Sequence, residues 1–129
     1  FTNAILGATH ALSHPVGGMC DAPHGAINAI ILPHVIRFNA QADPSPYVDL
    51  ARAIGLPEAA SPHATADRFA DEMSGLTTRV GLPTSLSALG VRAEDIPSLV
   101  VNALADACMR TNPRRPTAAD VAAMYREAL

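Results

Sequence analysis

Three imidazoles fall within 15 residues of one another near the start of this chain, at His10, His14 and His24 in the stretch HALSHPVGGMCDAPHG. A neutral imidazole nitrogen is a good ligand for borderline divalent ions, and its proton equilibrium lies near neutral pH, so the cluster suits metal binding, proton transfer or both. His10 and His14 stand at i and i+4 in an apolar pattern through Ile5, Leu6, Thr9 and Leu12, which puts both rings on one helical face. His24 opens the next segment and can reach back as a third nitrogen. A histidine on an apolar face is as readily a core residue with a satisfied hydrogen bond. No Asp or Glu lies at ligand spacing except Asp21, which serves equally well as a helix cap. Spacing alone therefore supports a metal site that lacks part of its ligand set. His34 and His63 read as structural or surface residues. Gly17, Gly18 and Gly25 follow no strand pattern, so no phosphate-cradling loop is present.

The elements that must hold these rings read as helices throughout. The first is expected from Thr2 to His14, stopped by Pro15, Gly17 and Gly18. Asp21 is placed as a cap and Pro23 as the start of the next turn, followed by a buried helix from Gly25 to Phe38 that Pro33 should kink or break. Tyr47, Leu50, Ala51 and Ile54 form a short amphipathic helix closed by Gly55 and Pro57. Ser61 and Pro62 open the longest helix, with a stripe through Ala66, Phe69, Ala70, Met73, Leu76 and Val80 before Gly81. A turn or two over Thr84 to Leu89 precedes a helix from Asp95 to Met109, which places Cys108 on an apolar side. Thr117 and Asp120 make a capping box for the last helix. No stretch alternates long enough for a strand, and about six or seven helices in one all-α domain are expected, without internal repeat or linker.

At 129 residues the chain is the size of one domain and can bury a core. It is 49% hydrophobic with a net charge of −3, too apolar for disorder and too weakly charged to attract a polyanion, which argues against a nucleic-acid partner. The uninterrupted apolar run Ala29 to Leu32 is far short of the roughly 20 residues of a membrane span. Cys20 and Cys108 have no CxxC spacing and read as free thiols in a reduced, cytoplasmic setting. Asn112-Pro113-Arg114 reads as a turn whose arginine is solvated or holds an anion. The chain begins at Phe1 inside an apolar pattern, and is read as part of a larger polypeptide.

The segments FTNAILGATHALSHPVGG from Phe1 to Gly18, DAPHG from Asp21 to Gly25, and Leu32-Pro33-His34 to Asn39 resemble the signature region of the iron-containing (group III) alcohol dehydrogenases. The LGV-x-x-x-DIP stretch at Leu89 to Pro97, the Asp106-x-Cys108-x-x-x-Asn112-Pro113-Arg114 stretch and the final helix resemble the same family. The resemblance implies an all-helical C-terminal domain over 1–129 that faces an N-terminal α/β nucleotide-binding domain missing from this chain. It implies that His10 and His24 are two of four ligands to Fe2+ or Zn2+, the others being an Asp and a His upstream. His14 is implied to lie near the nicotinamide and to move protons, a role that overrides the His10 and His14 pair drawn from spacing. Phe1 and Cys108 match positions bordering the substrate pocket.

The activity implied is hydride transfer between a small alcohol or aldehyde and NAD or NADP, in an enzyme that assembles as a homo-oligomer, with this chain inactive alone. A maleylacetate reductase-like enzyme and a non-catalytic helical binding module derived from the same domain are the alternatives. A helix-turn-helix regulator is disfavoured by the acidic balance and by the lack of a basic recognition helix.

Overall fold

The structure is a computed structural model, and it describes residues 6–129. Six α-helices follow in order: α1 Ala8–Met19, α2 His24–Ala40, α3 Ser45–Ala53, α4 Pro62–Arg79, α5 Ile96–Ala105 and α6 Ala118–Ala128. Short 3-10 turns lie at Ser87–Leu89, Ala93–Asp95 and Ala107–Thr111. No strand occurs among the described residues, and the fold is all-α as expected.

The main core is built by α1, α2, α5 and α6. Leu12, Ile27, Ile31, Leu86, Leu99, Val121 and Tyr125 are fully or almost fully buried in it. A smaller cluster of Ile36, Ala51, Phe69 and Ala70 joins α2 to α3 and α4. Helix α2 belongs to both, which is why its sequence is apolar nearly all round.

Two helices run through residues expected to stop them. α1 continues past Pro15, Gly17 and Gly18 to Met19, and α2 passes Pro33 without a break. A proline inside a helix costs about 3 kcal/mol. Each buried aliphatic side chain returns about 1.5–3 kcal/mol. Val16 follows Pro15 fully buried, and Ile30, Ile31, Val35 and Ile36 flank Pro33 inside the core, so tertiary burial outweighs the local penalty.

The opposite correction applies to α5, which was expected to reach Met109 but ends at Ala105. Asp106 turns extended, at φ −66 and ψ 136, and its side chain accepts from the Cys108 N–H at 2.7 Å. The carboxylate outcompetes the next helical carbonyl and starts a 3-10 turn that carries Cys108. Asp21 does not cap α2. The cap position is Pro23, with no side-chain bond, while His24 is the first helical residue.

Other signals act as read. Ser61 Oγ accepts from the Ala64 N–H, and Thr117 and Asp120 cap α6 reciprocally. Gly55, Gly81 and Gly90 close their turns at φ 77, 75 and 90, where a side chain would be strained. The stripes are narrower than expected. Leu50, Ile54, Leu76 and Val80 are exposed, Val80 by 60%.

The start of α1 is fixed from a distance. Gly7 offers no side-chain cap, and the Ala8 N–H instead donates to Oδ1 of Asn112 at 3.0 Å. The same oxygen accepts from Asn39 Nδ2 at 3.3 Å, and Asn112 Nδ2 donates to Asn39 Oδ1 at 2.7 Å and to the Arg114 carbonyl at 2.6 Å. A Cβ on Gly7 would lie 3.0 Å from that Oδ1, so glycine is what lets the amide approach. Arg114 is half-buried rather than freely solvated. It stacks over the Phe38 ring at 4.0 Å and donates to the Phe38 carbonyl at 2.9 Å. Farther along α1, the buried Tyr125 hydroxyl donates to the Leu12 carbonyl at 2.7 Å.

Asn112→Ala removes four hydrogen bonds and leaves the Ala8 N–H and the Asn39 amide without partners. The expected loss is about 2–3 kcal/mol, read as a lower urea midpoint with an unchanged slope.

Candidate metal centre

Helix α1 and the first turn of α2 bring the three sequence-clustered histidines together. Ring centroids are 5.2 Å apart for His10 and His24, 5.5 Å for His14 and His24, and 6.0 Å for His10 and His14. His10 and His14 share a face of α1 because they are one helical turn apart. His24 joins them because the linking segment is short and the start of α2 folds back against α1.

Asn28, one turn into α2 from His24, ties two of the rings. Its Nδ2 lies 3.0 Å from His24 Nε2 and 3.4 Å from His10 Nε2. The amide thus sits between the two Nε2 atoms and holds them toward one point. The Oδ1 of Asn28 is buried without a protein partner. Burial first, and then the neighbouring His24 and His14, push the His10 imidazole below its ordinary value, against a raising contribution from Asp106. The pair His10 and His24 thus suits a divalent ion, with two imidazole Nε2 atoms converging on one amide.

His14 is held differently. Its Nδ1 lies 2.8 Å from Asp106 Oδ2, while Asp106 Oδ1 accepts from the Cys108 N–H. Burial acts to raise the Asp106 carboxyl, but the hydrogen bonds from His14 and Cys108 outweigh it and hold the group below the usual carboxylate range. Burial and the adjacent carboxylate push the Cys108 thiol up.

Ligand-type atoms of His14, Asp106 and Cys108 lie within 4.8 Å of one another. Yet the carboxylate is engaged on both oxygens, and the thiol is held protonated when a metal would need thiolate. The trio is a hydrogen-bonded set rather than a set of free ligands. Cys20 and Cys108 are both free thiols.

Phe1, the other pocket residue implied by the resemblance, lies outside the described residues. His34 and His63 are not drawn into the cluster. They line a separate cavity of about 330 Å³ with Arg37, Asp67, Asp120 and Glu127. His34 Nδ1 lies 3.4 Å from Glu127 Oε2, and burial lowers its pKa despite that neighbour.

Asp106 and Asn28 are the two site residues that the sequence alone did not single out. Asn28 carries a spacing signal, four residues after His24 on the same face. Asp106 stands in a stretch that carries the resemblance, but it is 92 residues from its histidine, and no local pattern assigns it that partner.

With this geometry in place, comparison with known proteins is decisive for the family. Residues 1–129 match the C-terminal model of the Fe-containing alcohol dehydrogenase family, and the chain belongs to that family. It is 40% identical to lactaldehyde reductase of Escherichia coli (strain K12), over 99% of this chain and 34% of that protein. It is 37% identical to 1,3-propanediol dehydrogenase of Klebsiella pneumoniae, over 99% of this chain and 33% of that protein. Among solved structures, alcohol dehydrogenase from Oenococcus oeni superposes with a TM-score of 0.92 at 37% identity, covering 100% of this chain and 34% of that one. The chain thus spans about a third of the length of these relatives.

The state of the thiol gives a direct expectation. Cys108 should alkylate with iodoacetamide more slowly than free cysteine near neutral pH, because a raised thiol pKa lowers the thiolate fraction. The rate should climb as pH rises past the ordinary thiol range, and Asp106→Asn should speed it by removing the negative charge. Peptide mapping of the labelled protein reads each site. A Cys108 that reacts as fast as free cysteine in the parent contradicts the assignment.

Proposed function

We propose that this chain is the metal-ligand-bearing helical part of a two-domain, NAD(P)-dependent dehydrogenase that interconverts small alcohols and aldehydes. The observation that carries the reading is the convergence of His10 and His24 Nε2 on one point, with His14 beside them on a carboxylate. Relatives named as lactaldehyde reductase and 1,3-propanediol dehydrogenase support a short-chain substrate and favour it over a maleylacetate reductase-like activity.

His10 and His24 would hold Fe2+ or Zn2+, with the remaining ligands supplied from outside this chain. When bound, the ion supplies Lewis-acid polarisation of the substrate oxygen. Burial and the neighbouring rings lower the His10 pKa, which keeps its lone pair available, and Asn28 keeps the two nitrogens facing the same point. His14 carries the hydroxyl proton toward solvent or returns it, a task suited to its side chain, which is 43% exposed. Cys108 borders the pocket as a protonated, half-buried thiol. NAD or NADP is bound mainly by the nucleotide-binding domain, and bringing the nicotinamide to the substrate carbon falls to that domain.

In the two-domain enzyme, His10→Ala and His24→Ala should lose both bound metal and turnover. His14→Ala should keep its metal and slow by on the order of 10²–10⁴-fold, the usual worth of a proton-transfer group. Metal analysis of each variant alongside NAD(P)-linked absorbance with a panel of short alcohols is the test. A His24→Ala variant with its metal and near-normal turnover sinks the assignment. Loss of metal from His14→Ala would instead favour a three-imidazole site.

A further inference from the structure

We propose that Asp106 is the positioning residue for His14, holding it in the tautomer with the proton on Nδ1 and leaving Nε2 as the nitrogen that exchanges protons with the substrate. The inference rests on the reading of His14 as the proton carrier.

The geometry carries it through the two oxygens of one carboxylate. Oδ1 is spent on the Cys108 N–H at 2.7 Å, a cap that fixes the carboxylate to the first turn of the 3-10 segment. Oδ2 is thereby aimed at His14 Nδ1, 2.8 Å away on another helix. An ionised carboxylate only accepts hydrogen bonds, so the nitrogen facing it must bear the proton. A neutral imidazole left to itself samples both tautomers, and in half of its roles would present an N–H where a base is needed. The Asp106 side chain is 19% exposed against 43% for His14, so the anchor is sheltered while the moving ring is open. Asp106 touches neither reacting atoms nor cofactor on this account, and acts through the ring it orients.

The same cap dictates which variant is informative. In Asp106→Asn the Cys108 N–H still requires an oxygen, so the amide is held with Oδ1 toward the backbone and Nδ2 toward His14. That retains the turn but presents a donor where an acceptor stood, which drives the ring proton to Nε2. The experiment is NMR of the ring nitrogens in the two-domain enzyme labelled with 15N-histidine, the His14 signals being assigned by their loss in His14→Gln.

The expected result is an Nδ1–H tautomer for His14 in the parent and Nε2–H in Asp106→Asn. With it goes a kcat lower by roughly 10²-fold, an alcohol KM within about twofold and unchanged metal content. Asp106→Glu should restore the parent tautomer and part of kcat. An Nε2–H tautomer in the parent overturns the proposal, as does an Asn variant whose tautomer and kcat match the parent. A parent without alcohol turnover would overturn the dehydrogenase reading instead, and the tautomer of His14 would still decide for or against Asp106.

Discussion

Everything the site needs from α1 depends on one side-chain amide. α1 starts at a glycine with no cap of its own, and its first free N–H is taken by Asn112, whose other contacts hold the end of α2 through Asn39 and the following turn through Arg114. An uncapped helix end is free to fray or shift by a residue, and a shift of one residue turns side chains by about 100°. Such a rotation would carry His10 and His14 away from His24. The amide fixes register as well as stability, and the close approach that Gly7 permits is part of the same device.

Crowding also works against a charge on His10. Three imidazoles with centroids 5.2–6.0 Å apart cannot all be charged without mutual repulsion. Burial, His24 and His14 together lower His10, which favours the form with a free lone pair. The single carboxylate in the group is turned to His14 and not to the converging pair. Charge is thereby divided: the carboxylate lies on the His14 side of the cluster, away from the His10 and His24 pair.

Much of this was legible in the sequence, for identifiable reasons. Helix positions follow from apolar periodicity and from caps such as Ser61 and Thr117, because these signals lie within one turn of what they control. The histidine cluster is legible because its members are close in sequence and unusual in type. Pro15 and Pro33 misled because a local penalty of a few kcal/mol says nothing about the burial that offsets it. The end of α5 was missed because Asp106 stops the helix with its side chain while the apolar pattern continues through Met109. The partners of His14 and Ala8 were invisible because they lie 92 and 104 residues away, and spacing arguments reach only neighbours on the same element.

Those long separations have a kinetic meaning. Leu12 with Tyr125, Ala8 with Asn112, and His14 with Asp106 each close a loop of more than 90 residues, and contacts of that span pay their chain-entropy cost before they return any stability. Helix α1 meets Asp106 and Asn112 at the site. During synthesis α1 and α2 emerge before the residues that dock α1 and orient its histidine. Local opening of the segment from Asp106 to Tyr125 in the finished domain would release α1 and dissolve the site while the distal helices, α3 and α4 on their separate cluster, stayed packed. The histidine cluster therefore lies in the part of the fold that depends on the most distant contacts.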